Sequence, residues 1–511
     1  MDKPSFIGIT LADLLLQAVR RHGGRVAIHT TEMLSYADLD ERSDRLAAFL
    51  SSRGFGTGSR IALHLRNGAE YVVADLAILK LAAAKVPLNE LIAPAEIAYC
   101  LNHAAVDVLI AHASFLNPVA RQPIDRDILT IAVGDHSPDH GDHLTWAEVM
   151  SHPSVASRIV ADPDDTAMII YTGGTTGRPK GVRHSYGRLG VNLLAQLVCG
   201  DIRSDEVMYL STPLPHSAGF HLQACLLQGG QAILAAKFDP GRFLDACEQY
   251  RVTWSFMVPT MIYRLLDAMD ARRCDLSSVR TVVYGAAPMS QPRLKEGLRR
   301  FGPVFIQLYG QIESPNWITG LTKEDHLTDH LLASCGRAVP FVDVRIAGES
   351  PDAGEVEVRS PYRMLDYLDD RHATGAAFNG EWLRTGDLGY LDSQGYLFLV
   401  DRAKDMIISG GMNVYSVEVE AALRLHPDVR EVAVVGLPDD DWGEAVTAVI
   451  VTSADPAPLE DLRRHAKQSL SAYKTPKRFV FLEEMPLTAF GKIDKKRLRT
   501  SLLTEANVDV D

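Results

Sequence analysis

The sequence predicts an α/β protein. A large layered α/β region of several subdomains, residues 1–401, precedes a small α+β domain on a charged hinge, residues 402–511. Three observations lead there. The chain has 511 residues, more than one hydrophobic core normally organises. Up to about residue 400, short apolar runs alternate with segments of helical period, the pattern of strands and helices stacked in layers. The charged stretch "DRAKDMIISGGMN" (401–413) then interrupts that rhythm, and a compact set of short elements follows it.

In chain order, "RIALHL" (60–65) reads as a strand and "AEYVVADLAILKLAAA" (69–84) as one buried helix. "VDVLIAH" (106–112), "TAMIIYT" (166–172), "VMYLST" (207–212), "QAILAA" (231–236) and "RTVVYG" (280–285) read as buried strands. Helices fit between several of them, at 243–250 and 292–301, which predicts parallel strands joined by crossovers. "GYLDSQGYLFLVD" (389–401) has a turn flanked by aromatics. The terminal region reads as helix "VEVEAALRL", strands "VREVAVVGL" and "AVTAVIVT", helix "LEDLRRHAKQSL", strand "RFVFLE" and a basic helix.

Hydrophobic residues make up 46% and charged residues 23%, an ordinary globular composition. The net charge of −13 speaks against a nucleic-acid partner, which would favour a basic face. The cysteines, Cys100, Cys199, Cys225, Cys247, Cys274 and Cys335, are scattered without metal-ligand spacing and read as free thiols of a cytoplasmic protein. No apolar run is long enough for a membrane span.

"YTGGTTGRPKGV" (171–182) carries hydroxyls, permissive glycine backbone and one lysine after a strand. Those are the parts of an anion nest, although the spacing is not that of a P-loop. A solvated polar turn is the other reading of such a loop taken alone. Four further stretches narrow the choice: "YGQIE" (309–313), "RTGDLGYLDSQGYLFLVDRAKDMI" (384–407), "SGGMNVYSVEVE" (409–420) and "PLTAFGKIDKKRLR" (486–499). With the glycine-rich loop, and in this order, they resemble the signatures of the acyl-adenylate-forming superfamily, in its acyl-CoA synthetase branch.

The resemblance implies a two-step ligase. A carboxylate attacks the α-phosphate of ATP, and the thiol of coenzyme A then displaces AMP. It implies that the terminal domain is mobile. Thr172, Thr175, Thr176 and Lys180 would hold the β- and γ-phosphates. Tyr309, with Gly310 and the backbone of Gly285, Ala286 and Ala287, would hold adenine. Glu313 would bind Mg²⁺, a hard cation suited to a carboxylate plus phosphate oxygens. Asp387 would accept from the ribose hydroxyls, and Arg402 would reach the ribose or the phosphates. Lys492 would be the catalytic lysine, Lys404 the hinge, and Gly410 and Gly411 the passage for the pantetheine thiol. Taken singly, Tyr309 reads as core packing, Glu313 as a surface charge, Asp387 as a turn residue, and Lys492 as one cation among Lys495, Lys496, Arg497 and Arg499.

The acid would lie against His216, Phe220, Phe256, Met257, Gly285 and Pro315, walls that read as mostly apolar without a fixed charge. His216, a gate or a packed core residue, stands where amino-acid-activating members carry Asp. A small-molecule apolar carboxylic acid fits such walls, and a homodimer is left open. Ile312 departs from the pattern, since most members have Thr there to donate to the α-phosphate. Ile is β-branched but has no donor. The leading expectation is full two-step activity. The alternatives are a thioester-forming enzyme that needs a supplied acyl-adenylate and a catalytically silent nucleotide binder.

Overall fold

The computed structural model describes residues 9–134, 143–155, 158–172, 179–272, 274–348, 353–402, 405–410, 412–439, 441–452, 459–487 and 493–506. The chain divides into two compact units, Met1–Asp343 with Arg359–Leu383, and Val344–Val358 with Arg384–Asp511.

The first unit holds two large sheets. One has nine strands in the order Arg337–Ala338, Ser314–Leu321, Phe305–Gln311, Thr281–Gly285, Trp254–Met257, Val207–Leu210, Gln231–Leu234, Val26–His29 and Met33–Ser35. Its interior pairs are parallel, as the crossover pattern predicts. The strand Ser314–Leu321 folds back antiparallel on Phe305–Gln311, leaving Ile312 and Glu313 as a two-residue turn. The other sheet has eight strands, with Lys180–Ser185, Thr166–Thr172, Ala84–Pro87 and Arg60–His64 as consecutive neighbours.

One expectation is corrected here. The helix beginning at Ala69 ends at Lys80, not at residue 84, and Ala84–Pro87 is a strand lying between Arg60–His64 and Thr166–Thr172. The break is made by Ala82, which takes a left-handed backbone conformation at φ +50°. An L-residue with a Cβ rarely adopts that conformation, and no glycine or proline marks the place.

The helix Ala69–Lys80 is apolar nearly all round and packs against Leu11–Arg21 and Tyr36–Ser51. Both of those helices open with capping boxes, Thr10 with Asp13 and Ser35 with Asp38, which satisfy donors of the first turn. At the end of the buried helix, Lys80 donates to the Asp40 carbonyl at 2.8 Å, Asp40 Oδ1 at 2.7 Å and Asp44 Oδ1 at 2.6 Å. All three ammonium hydrogens are thereby used, and the side chain is 1% exposed.

In the second unit, Trp382–Leu391 continues from the first unit and pairs antiparallel with Leu397–Arg402 around a turn at Gly395, stacking Tyr390 on Phe398 at 5.1 Å. A five-stranded sheet follows, built on the long hairpin Val429–Asp439 and Gly443–Thr452. Its apolar runs are continuous because both faces are covered. Val432 and Val434 pack with Val419, Leu423 and Leu462, whereas Ala433, Val435 and Leu437 pack with Leu498 and Leu502. That alternation is the two-residue period of a strand. The helices and strands expected after residue 413 are all present, together with a hairpin, Ile407–Ser409 with Met412–Val414, that was not expected.

All six cysteines are free thiols. Among the described residues no helix is long and apolar enough to cross a membrane.

The Lys80 clamp yields a first prediction. Lys80→Met leaves Asp40 and Asp44 facing a buried methionine, so unfolding in urea is expected to lose about 3–5 kcal/mol. A loss under 1 kcal/mol would contradict the clamp.

Candidate active site

The turn Ile312–Glu313 is fixed by its backbone. His184, from the strand Lys180–Ser185, donates from Nε2 to the Ile312 carbonyl at 2.9 Å, and the Met364 amide donates to the Glu313 carbonyl at 2.6 Å. Two glycines shape the approach. A Cβ on Gly310 would sit 2.3 Å from the Asn316 carbonyl oxygen, and one on Gly285 would sit 2.5 Å from that of Leu308. Neither position admits a side chain without moving main chain. Ala286 next to Gly285 is exposed and left-handed at φ +67°, and Tyr309 is 9% exposed.

The Glu313 carboxylate accepts from the Tyr367 hydroxyl at 2.8 Å through Oε1. Burial, with the carboxylate alongside, holds the Tyr367 phenol well above its ordinary range, so it stays a donor. The Lys180 ammonium lies 4.8 Å from the centroid of the same ring. Lys180 faces Thr172 across the antiparallel pair that closes the glycine-rich loop. The structure thus brings Thr172, Lys180, Ile312 and Glu313 together and adds Tyr367, which sequence reasoning missed. A tyrosine within "DYLDD" has no marking of its own until the strand Asp366–Tyr367 pairs with Lys180–Ser185. Thr175 and Thr176 lie outside the described residues, as do Lys404, Gly411 and Lys492.

In the second unit, Asp387 and Arg402 face each other in register and form an ion pair at 2.5 Å. The carboxylate is 5% exposed and the guanidinium 45%. Gly410 is left-handed at φ +60°, and a Cβ there would meet the Trp442 indole at 2.9 Å. An antiparallel bridge between Leu487 and Ile493 brackets the segment that carries Lys492. Two other cations of the basic tail have structural partners: Lys495 pairs with Glu420 at 2.7 Å and Arg499 with Glu444 at 2.9 Å.

The acid walls expected from the sequence divide. His216 precedes the helix Ser217–Gln228, and its Nε2 lies 3.1 Å from the Asn89 amide. His216 and Phe220 line one pocket with Met168, Gly219, Gln223 and Lys85. The sequence reading expects no fixed charge here; Lys85 corrects it, arriving on the strand Ala84–Pro87, which was not expected. Phe256 lies on the face of its strand that meets His221, with ring centroids 5.1 Å apart. Met257 points to the other face, into the core with Phe243 and Leu265. The Pro315 carbonyl accepts from Asn192 Nδ2 at 2.8 Å.

Comparison with known proteins fits this geometry. The AMP-binding enzyme profile matches residues 15–368, and that of the AMP-binding enzyme C-terminal domain matches residues 418–492. The chain belongs to the AMP-binding, adenylate-forming enzyme family. A medium/long-chain-fatty-acid–CoA ligase of Mycobacterium tuberculosis is 35% identical, over 95% of this chain and 89% of its own. A feruloyl-CoA synthase of Amycolatopsis sp is also 35% identical, over 94% of each. Among solved structures, the amide bond synthetase of Marinactinospora thermotolerans aligns with a TM-score of 0.86 at 33% identity, over 96% of this chain and 99% of its own. The o-succinylbenzoate CoA synthetase of Bacillus subtilis, solved with its acyl-adenylate, aligns with a TM-score of 0.84 at 30% identity, over 96% and 97%. The full-length relatives are acyl-CoA ligases of the AMP-forming kind.

Three wholly or mostly buried histidines of the first unit set an acid limit. Burial lowers His64 and His184 to about 4 and His221 to about 3. In the unfolded chain each takes a proton near pH 6.5. Their contribution is therefore whole above that pH and is lost as pH falls towards 4, on the order of 3 kcal/mol for each. His184→Asn, which can still donate to the Ile312 carbonyl, is expected to flatten the fall in urea stability between pH 6.5 and 4.5. An unchanged slope would mean that His184 titrates normally.

Proposed function

We propose that this chain is an ATP-dependent acyl-CoA ligase. It activates a carboxylic acid with a largely apolar body as an acyl-adenylate, then transfers the acyl group to coenzyme A. The observation that carries this reading is the convergence of Thr172, Lys180 and Glu313 around the pinned turn, beside a backbone cradle that only glycine fits at 285 and 310.

In the first step a carboxylate oxygen of the acid attacks the α-phosphorus and pyrophosphate leaves. Lys180 and Thr172, with Thr175 and Thr176, receive the departing phosphates, and Lys492 stabilises charge developing between the two reactants. Gln311 Nε2 at the turn is buried without a partner among the described residues, an unspent donor of the kind a nucleotide uses. Glu313 suits Mg²⁺: one oxygen is held by Tyr367, and Oε2 has no partner among the described residues. Bound there, the ion would neutralise phosphate charge. In the second step the thiol sulfur attacks the acyl carbon and AMP leaves, a better leaving group than a carboxylate oxygen. Asp387 and Arg402 serve the ribose. Rotation of the region 402–511 about Lys404 exchanges the Lys492 face for the one carrying Gly410 and Gly411, where the thiol would pass. The free thiols suit the cytoplasm.

The relatives' named acids range from fatty acids to feruloyl, indoleacetate and 2-succinylbenzoate, so identity near 35% selects none of them. The acceptor is tested in parallel, because one similar structure is an amide bond synthetase.

Acid-dependent exchange of labelled pyrophosphate into ATP, followed by thioester detection with coenzyme A against an amine, tests the reading. No exchange across a broad panel of acids would remove the adenylation step. Lys492→Ala is expected to cut exchange about 10²–10³-fold while largely sparing thioester formation from synthetic acyl-adenylate; equal loss in both assays would refute the two-face mechanism. Ile312→Thr is expected to change exchange less than about threefold, because the turn is held through its carbonyl. A rise of about tenfold or more, the worth of one charge-assisted hydrogen bond, would favour the enzyme that needs a supplied adenylate.

A further inference from the structure

Lys85 is a buried ammonium in the pocket that His216 and Phe220 line, and none of the steps above uses it. It is 5% exposed. Its Nζ donates to Asp75 Oδ1 at 2.6 Å, and the other oxygen of Asp75 accepts from Gln223 Nε2 at 2.9 Å. Three elements meet there: the strand Ala84–Pro87, the helix Ala69–Lys80 and the helix Ser217–Gln228.

Lys80, five residues earlier, shows what a purely structural buried lysine looks like in this fold, since all three of its N–H bonds end on protein oxygens. Lys85 spends one N–H on Asp75 and lies 5.9 Å from the centroid of the Tyr71 ring, and it has no second oxygen or nitrogen acceptor among the described residues. Gln223 likewise spends one amide N–H on Asp75, while Oε1 has no donor among the described residues. Donors and an acceptor are therefore left over on side chains that line one small cleft, whose free volume of about 10 Å³ is the room of a single water-sized group.

We infer that Lys85 and Gln223 form a specificity site for a neutral oxygen, a hydroxyl or a keto group, on the hydrocarbon body of the acid. Charge decides the class. Lys85 and Asp75 already cancel, so a second carboxylate would bring an uncompensated buried charge, whereas a plain hydrocarbon would leave buried donors unpaired. A keto oxygen accepts from the ammonium. A hydroxyl does so and also donates to Gln223 Oε1. This inference rests on the proposed function in taking His216 and Phe220 as walls of the acid site.

The test uses the whole chain with two parent acids, decanoic and phenylpropanoic acid. Each is compared with analogues carrying one hydroxyl or keto oxygen at successive positions, and with the corresponding dicarboxylic acid. Binding is measured by calorimetry and thioester formation separately. At least one oxygenated analogue is expected to bind about tenfold or more tightly than both its parent and the diacid, since sites built to pair a hydroxyl reject analogues lacking it. Lys85→Met combined with Asp75→Leu removes the pair together and is expected to bring that ratio to about one. Gln223→Leu, which leaves the ion pair in place, is expected to reduce the preference for hydroxyl and serves if the double variant does not fold. Equal binding of parent and all oxygenated analogues, tighter binding of the diacid, no binding by any acid, or a ratio that survives in the folded variants would overturn the inference. Selective binding without thioester would uphold it and remove the ligase reading; thioester formation without selectivity would do the reverse.

Discussion

Hydrogen bonds to two successive carbonyls, Ile312 from His184 and Glu313 from the Met364 amide, hold one turn of the nine-stranded sheet against the edge of the eight-stranded one. The arrangement of Glu313, Tyr367 and Lys180 depends on that attachment. It fixes where Glu313 can point, and Tyr367 then fixes which of its oxygens is engaged. Because His184 is buried and neutral, the attachment is a dipolar contact in a low-dielectric setting and is insensitive to salt. A turn fastened through its main chain tolerates a change of side chain, which is why isoleucine at 312 is compatible with an ordered site.

The same region economises on side chains. Gly285 and Gly310 lie under carbonyl oxygens of neighbouring strands, close enough that even a methyl would displace the hairpin. Their role is to let strands approach, and the space so defined has backbone walls. A backbone-walled cradle reads shape and hydrogen bonding without conformational entropy loss from side chains. In the second unit Gly410 is constrained differently, by the Trp442 indole and by its own left-handed φ.

Much of this was legible in advance, and what was not has identifiable causes. The parallel strands announced themselves because a strand buried on both faces is continuously apolar, and the terminal domain because its elements are short and separated by charge. Motifs singled out Thr172, Lys180, Glu313 and Asp387 as candidates because each stands close to a glycine in a distinctive stretch. Tyr367 and the Asp387–Arg402 pair depend on register between strands far apart in sequence or across a turn, which no local pattern encodes. Met257 was named as an acid wall together with Phe256, yet the strand period sends these neighbours to opposite faces. The helix reading of 69–84 failed at Ala82, where an apolar run changes secondary structure without a helix breaker, and the strand Ala84–Pro87 that carries Lys85 went unread.

Ala82 has a consequence for which lysine does what. Its left-handed conformation carries a strain of roughly 1–2 kcal/mol, and that strain resets the phase of the chain between Lys80 and Lys85. The register that follows puts Lys85 opposite Met168. Had the strand begun one residue sooner or later, every side chain on it would have exchanged faces, and the ammonium would have turned away from the pocket. A single unfavourable backbone angle thus separates a lysine that holds two helices together from one with donors still to give.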